Sequence, residues 1–328
     1  VNADDPIQIL QAIMIEHGWG QVAVLDAEGE IIGIVTRTDL IGVLGSRVEE
    51  QTPDGLVGEL ESALSAARLA LLKNIAAEAE FRQDALYIVG GFVRDLLLGT
   101  PSTDFDLVVE GDAIGVATAL VEKFGGRMTS HKRFGTAKWR LDLDNPALGD
   151  SIHAAGGDLL HLPSTLDFVT ARTEFYTQPT ALPSVQQGNI KLDLHRRDFT
   201  SNTLALRLDG RFYGQLLDYW GGGRDLREGK VRVLHSISFV DDPTRMLRAV
   251  RLEQRLGFEI EPRTLELLKQ ALVLLDRVSG ERIRNELQSS FSEDRWLSIG
   301  SRLQELGLLQ AIDHALTWDE WLAERFSR

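Results

Sequence analysis

Apolar positions along the chain change their period from segment to segment, and each change predicts a different kind of element. Residues 7–15 repeat at helical spacing, and Gln21-Val-Ala-Val-Leu25 and Ile31-Ile-Gly-Ile-Val35 then flank the turn Asp26-Ala-Glu-Gly29, which predicts a helix followed by a hairpin. Pro53-Asp54-Gly55 breaks the chain, and residues 56–82, rich in Ala, Leu and Glu, predict one long helix that serves as a spacer. Further on, residues 86–89, 166–170 and 203–208 read as strands and 114–124 as a helix, whereas from Thr244 the pattern is helical almost to the end, with no clear strand. The expected class is α+β: an N-terminal α/β fragment over 1–50, a linker helix over 51–82, a head with a mixed sheet and helices over 83–221 and an all-α neck over 222–328.

One stretch carries recognisable chemistry, Tyr87-Ile-Val-Gly90-Gly91-Phe-Val-Arg94-Asp95-Leu-Leu-Leu-Gly99-Thr-Pro-Ser-Thr-Asp104-Phe-Asp106-Leu-Val-Val. A strand turns sharply at two glycines into a helix over 92–98, ended by Gly99 and Pro101. The free N–H groups and positive dipole end of that helix suit a triphosphate, and Arg94 sits one turn in. Asp104 and Asp106 follow at i and i+2, so on a strand both leave the same face and can share hard, oxygen-seeking Mg²⁺ ions. The apolar Leu107-Val108-Val109 makes an unpartnered charge there costly.

This stretch resembles the class II tRNA nucleotidyltransferases and bacterial poly(A) polymerases of the polymerase β superfamily. Family-like blocks continue in the same order as Leu166-Asp167-Phe-Val-Thr-Ala-Arg172-Thr-Glu174, Arg196-Arg197-Asp198-Phe199-Thr200-Ser-Asn202, Asp241-Asp242-Pro-Thr-Arg245-Met-Leu-Arg248-Ala-Val-Arg251 and Glu281-Arg282-Ile283-Arg-Asn-Glu286-Leu287, together covering about residues 80–290. The resemblance implies a polymerase β-like head that joins the α-phosphate of a nucleotide to an RNA 3′-hydroxyl. It implies two Mg²⁺ ions, with Mn²⁺ as an alternative, on Asp104 and Asp106, and Asp167 as a third acid that orients or deprotonates the hydroxyl. Gly90, Gly91, Arg94, Arg172, Arg197, Asp198, Asn202, Asp242, Arg245 and Arg248 become the expected nucleotide-binding set.

Asp242 and Arg245, at i and i+3 on a helix start, lie on one face where a carboxylate and a guanidinium together match the amino donor and ring acceptor of adenine or cytosine. The bland alternative is that Asp242 caps the helix before Pro243 and pairs with Arg245. Arg248 and Arg251 continue the same face toward phosphate. Enzymes of this family that add a whole CCA end commonly carry a basic Arg-Arg-Pro where Ala181-Leu182-Pro183 stands here, which points to the A-adding or poly(A) branch. Residues 142–165, with His153 and His161, read as a longer insertion whose histidines are solvated loop residues.

Residues 1–48 resemble most of one CBS motif, in which Thr36 and Asp39 of Thr36-Arg-Thr-Asp39 would contact the ribose and phosphate of an adenosine nucleotide. Helix capping by Thr36 or Thr38 is the alternative. A single CBS copy is completed either by a missing half or by another chain, the latter giving a homodimer.

Composition adjusts this picture in three places. A net charge of −14 suits an RNA-binding protein poorly, but residues 1–60 hold 11 acids and 2 bases, whereas 191–255 hold 13 Lys/Arg against 9 Asp/Glu. The absence of cysteine excludes disulfides and thiolate metal sites and fits a cytoplasmic protein, and no apolar run is long enough to span a membrane. The start Val1-Asn-Ala-Asp-Asp, without an initiator Met or signal pattern, reads as a fragment of a longer protein. The expected partners are ATP, CTP as a second nucleotide, and tRNA ending in CC or another RNA 3′ end. The rival readings are a complete CCA-adding enzyme, a poly(A) polymerase, and an adenosine-nucleotide sensor with little catalysis.

Overall fold

The structure, a computed structural model, describes residues 1–2, 5, 7–17, 19–26, 29–36, 55–100, 106–175, 184–319, 322 and 324–325. Asp39, Asp104 and Ala181-Leu182-Pro183 lie outside the described residues. The chain divides into two units, Val1–Asp54 and Gly55–Arg328.

In the first unit, α1 (Ile7–Glu16) precedes an antiparallel hairpin of β1 (Gln21–Leu25) and β2 (Ile31–Thr36). Leu10, Met14 and Val22 form its small core. Thr36 ends β2 opposite Gln21.

In the second unit the single helix expected over 56–82 is two, α2 (Val57–Ala63) and α3 (Ala66–Phe81). Leu64 is extended, and the Ser65 hydroxyl caps α3 by accepting from the Arg68 N–H at 3.4 Å, so a local cap outcompetes helical continuity. These helices are not a free spacer, because Leu60, Leu71, Leu72 and Ile75 are fully buried in the core of the head.

The head continues with β3 (Ala85–Val89), α4 (Gly91–Leu97), β4 (Asp106–Glu110), α5 (Ala113–Phe124), β5 (Arg127–His131) and β6 (Thr136–Arg140). Then follow α6 (Pro146–Ala154), β7 (Thr165–Thr170), β8 (Arg172–Phe175), β9 (Ser184–Gln187), α7 (Ile190–His195), β10 (Ala205–Arg207), β11 (Leu216–Leu217) and α8 (Gly222–Glu228). Seven strands make one mixed sheet in the order β11-β10-β3-β4-β7-β6-β5, in which β4 and β7 are parallel and the other described pairs antiparallel. Period-2 alternation sends Leu86, Ile88, Leu107, Val109, Trp139, Leu166 and Phe168 to one face, beneath α3, α5 and α6. The stretch expected as an insertion supplies α6, whose Leu148 and Ile152 are fully buried, so it belongs to the core. On the opposite face α7 packs Ile190 and Leu194 against Tyr87, Val89 and Val108.

The neck begins with β12 (Lys230–Val231), α9 (Ser238–Asp241) and α10 (Arg245–Leu256), and continues through β13 (Glu259–Ile260) and α11 (Pro262–Ala271) to α12 (Gly280–Phe291), α13 (Trp296–Glu305) and α14 (Leu308–Ile312). It is not strand-free: Gly257, at φ 68°, ends α10 and lets β13 run back parallel to β12. Phe199 is buried in the neck core with Phe239, Met246 and Val250, which fixes the Arg196–Asn202 block at the seam between head and neck. No helix among the described residues is long and apolar enough to cross a membrane.

Candidate active site

At that seam lies a cavity of about 450 Å³ lined by Gly90, Gly91, Arg94, Arg196, Arg197, Asp198, Asn202, Asp242, Arg245, Arg248 and Arg255. Blocks more than 100 positions apart in sequence thus meet in one place, and nine of the expected nucleotide-binding residues line it. Gly90 is required by two constraints: its φ is 72°, and a Cβ there would stand 2.8 Å from Arg197 Nη1.

Each arginine of the cavity is aimed by a buried carboxylate or a backbone oxygen. Arg94 donates through Nε and Nη2 to both oxygens of Asp95, at 2.7 and 3.0 Å, and through Nη1 to Asn202 Oδ1 at 2.7 Å. Asp95 also accepts from Arg255 Nη2 at 3.2 Å. Arg196 and Arg197 both reach fully buried Asp193, at 2.7 and 3.2 Å, rather than forming surface pairs with Asp198. Arg245 donates to Ser238 Oγ and the Arg196 carbonyl. Bidentate, low-dielectric pairs of this kind hold guanidinium planes in fixed orientations.

Arg248 is the hub. It donates to Asp198 Oδ2, Asp242 Oδ2 and Glu286 Oε1 at 3.1, 3.0 and 2.9 Å. Burial opposes its charge, but these three carboxylates raise its pKa above the ordinary arginine value. Burial likewise opposes the charge on Asp198, yet Arg248, the Asn202 amide, Arg245 and the Phe199 N–H outweigh it and hold the carboxyl below its usual range. For Asp242, burial is outweighed by Arg248, Thr244 and Arg282 in the same direction.

Asp242 keeps half of the bland reading: its Oδ1 accepts from the Thr244 N–H and hydroxyl at 3.0 and 2.7 Å. The expected helical ion pair with Arg245 is replaced by pairs with Arg248 and Arg282. Arg251 faces the neck and meets Glu286 and Glu293 instead of the cavity. Asp241 places Oδ2 3.9 Å from His235 Nε2.

Asp106 and Asp167 stand outside the cavity lining, exposed at the sheet surface. Val89 pairs with Asp106, Leu107 with Phe168 one residue further on, Lys138 with Asp167, and Thr129 with Lys138. Val89, Asp106, Asp167, Lys138 and Thr129 therefore form a row across five strands on one face, with Asp106 and Asp167 about 4.8 Å apart in backbone spacing. Two adjacent exposed carboxylates are hard-oxygen donors of the kind a divalent cation takes. Among the described residues no group of three or more His, Cys, Asp or Glu is arranged as a metal site. Arg172 starts β8, and its N–H donates to Asp193 Oδ1 at 3.3 Å; it does not line the cavity.

Sequence reasoning missed Asp95, Asp193, Arg255 and Arg282. Arg255 had a signal, since it continues the Arg248–Arg251 face one turn on. Asp193 had none, being one acid in an ordinary amphipathic helix.

Residues 86–232 match the family described as "Poly A polymerase head domain", 257–315 match "Probable RNA and SrmB- binding site of polymerase A", and 1–46 match "CBS domain". The chain belongs to the tRNA nucleotidyltransferase and poly(A) polymerase family. It is 37% identical over 327 residues to the A-adding tRNA nucleotidyltransferase of Geobacter sulfurreducens, covering 94% of this chain and 35% of that protein. It is 38% identical over 284 residues to the A-adding tRNA nucleotidyltransferase of Halalkalibacterium halodurans, covering 85% of this chain and 62% of that protein. Among solved structures, the Thermotoga maritima CCA-adding enzyme complexed with tRNA superposes with a TM-score of 0.67 at 35% identity, over 83% of this chain and 59% of that one. The chain thus spans less than two thirds of each of these relatives. Membership of this nucleotidyltransferase family implies dependence on a divalent metal.

Proposed function

We propose that this protein adds AMP from ATP to an RNA 3′ end without a nucleic-acid template, and that its acceptor is tRNA ending in CC. The observation that carries this reading is the cavity with six arginines, each already oriented, whose lining Gly90 follows directly on Val89, the register partner of the exposed Asp106. A cavity of this size suits one nucleoside triphosphate. In this reading Arg94 and Arg197 take phosphates, Asp198 and Asn202 take ribose hydroxyls, and Asp242 with Arg245 reads the base edge; Gly90 and Gly91 let the backbone approach, and Arg172 and Arg248 complete the set. Asp106, together with Asp104 of the same motif, would hold two Mg²⁺, or Mn²⁺ in its place, and Asp167 would orient the 3′-hydroxyl. Bound ions there would neutralise the triphosphate and activate the attacking oxygen.

The A-adding relatives favour ATP and tRNA as substrates, and a soluble cytoplasmic setting follows from those substrates. Similarity to a CCA-adding enzyme keeps a second reading, addition of all three nucleotides, in view. Full-length protein incubated with labelled tRNA lacking A, CA or CCA, with ATP and CTP supplied separately, decides between them. One AMP added only to tRNA ending in CC is expected. CMP addition would establish the CCA reading, and long tails on unstructured RNA the poly(A) reading.

For the N-terminal unit we propose weak adenosine-nucleotide binding through Thr36 and Asp39, with a second copy supplying the missing half of the CBS pair. Calorimetry with ATP, ADP and AMP on the full-length protein and its Thr36→Ala variant tests it, and identical heats in both would remove the assignment.

A further inference from the structure

Three features of the open sheet face have no role in the nucleotide cavity: Lys138, Arg140 and Arg127. We infer that they form the track along which the RNA 3′ strand reaches the carboxylates, Lys138 meeting the last phosphodiester and Arg140 and Arg127 the preceding ones. This rests on the reading of the protein as an RNA 3′-end nucleotidyltransferase.

Direction comes first. The cavity residues Gly90, Gly91 and Arg94 follow β3, on one side of β4, whereas β7, β6 and β5 lie on its other side. Phosphoryl transfer sets the attacking and leaving oxygens roughly in line on opposite sides of the phosphorus. With the triphosphate on the β3 side, pyrophosphate departs that way and the 3′-hydroxyl must approach from the β7–β6–β5 side.

The side chains on that approach are basic. Lys138 Nζ lies 3.2 Å from Asp167 Oδ2. Arg140 is two residues further along β6, on the same face at about 6.8 Å. Arg127 is its register partner on β5. All three are exposed, while Ala137, Trp139, Leu166 and Phe168 between them point into the core.

Two ordinary explanations fail for Lys138 and Arg140, although Arg127 stands on the edge strand β5. Lysines and arginines often guard edge strands against aggregation, but Lys138 and Arg140 belong to β6, which is flanked by β5 and β7. Directly opposed like charges on neighbouring strands destabilise a sheet. Arg127 and Arg140 are such a pair, and neither makes an ion pair among the described residues. A phosphate backbone laid across the face would offset that repulsion. In a chain of net charge −14, a basic strip beside the catalytic carboxylates, in which Lys138 pairs with Asp167 and Arg140 and Arg127 pair with no carboxylate among the described residues, is not a general surface property.

The test uses full-length wild type and the Lys138→Ala, Lys138→Arg, Arg140→Ala and Arg127→Ala variants. The measurements are KM for tRNA ending in CC, KM for ATP, and the salt dependence of RNA binding. Each alanine variant is expected to raise the RNA KM, to leave the ATP KM unchanged without lowering the melting temperature, and to flatten the slope of log K against log[salt] by about 0.7, the value for one phosphate contact on a single strand. Lys138→Arg should restore the slope. Wild-type RNA KM and slope in both Lys138→Ala and Arg140→Ala, with wild-type enzyme active on RNA, would overturn the track alone. Wild-type protein adding no nucleotide to any RNA would overturn the functional reading, and the track with it.

Discussion

Arg282, on α12, donates to Asp242 Oδ1 at 2.7 Å across 40 positions of sequence, and so ties a later helix of the neck to the residue proposed to read the base. Asp242 receives Arg248 on its other oxygen at 3.0 Å and Thr244 on the same oxygen as Arg282. Its carboxylate is thereby fixed in orientation before any ligand arrives. An incoming base with an amino group meets an acceptor that costs little to organise.

Asp242→Asn separates base reading from capping. The asparagine keeps an oxygen for the Thr244 N–H but offers an amide donor to the base, so guanine and uracil edges become acceptable. A mismatched buried edge costs roughly 1–3 kcal/mol per polar group, so the ATP/GTP ratio of kcat/KM should fall about tenfold or more. A variant that melts earlier yet rejects GTP as well as the parent would show that Asp242 serves only as a cap.

Asp106→Asn should abolish nucleotide addition and leave the melting temperature unchanged, because Asp106 is exposed and buries nothing. The loss should exceed the roughly 10–100-fold typical of removing an outer partner of a metal ligand. Asp104→Asn is expected to behave in the same way. Undiminished turnover with Mg²⁺ present, in either variant, would remove the metal assignment.

The parts of the site that were legible in sequence are those fixed by local geometry: the Gly90-Gly91 turn, Arg94 one turn into α4, and Asp106 at a strand start. What was not legible depends on contacts across long separations. Arg255 meets Asp95 across 160 positions, and Glu286 meets Arg248 across 38, neither of which leaves a periodic trace. Spacing set Asp242 beside Arg245, and both line the cavity, but Asp242 is extended just before α10 and Arg245 turns to Ser238 and the Arg196 carbonyl. In the fold, composition alone suggested one helix over 56–82, and only the Ser65 cap, a three-residue feature, divided it.

Asp95 is 4% exposed and accepts from both Arg94 and Arg255. Asp95→Asn leaves the buried Arg94 guanidinium without its counter-charge, while Arg255 keeps Glu293 at 4.0 Å, and breaking a buried pair in this way costs about 3–5 kcal/mol. The variant should unfold at markedly lower denaturant and show a higher ATP KM, since Arg94 loses its orientation. Normal stability together with an unchanged ATP KM would mean that Asp95 does not position Arg94.

The last expectation concerns pH. His235 is pressed down from 6.5 to about 4, first by burial and then by the Arg245 and His195 charges. The folded protein therefore holds His235 neutral where the unfolded chain would protonate it. Folding releases a proton between pH 4 and 6.5, so this contribution to stability is complete above pH 6.5 and is lost as pH falls toward 4. The depression corresponds to roughly 3 kcal/mol over that window. His235→Gln, which cannot ionise, should lose correspondingly less stability than the parent between pH 7 and pH 4 when urea midpoints are compared. Asp198 and Asp242, held below the usual carboxylate range, contribute only at the acid end and equally in both proteins, so they cancel in the comparison. Parallel pH profiles for parent and variant would show that His235 is already free to protonate in the folded state.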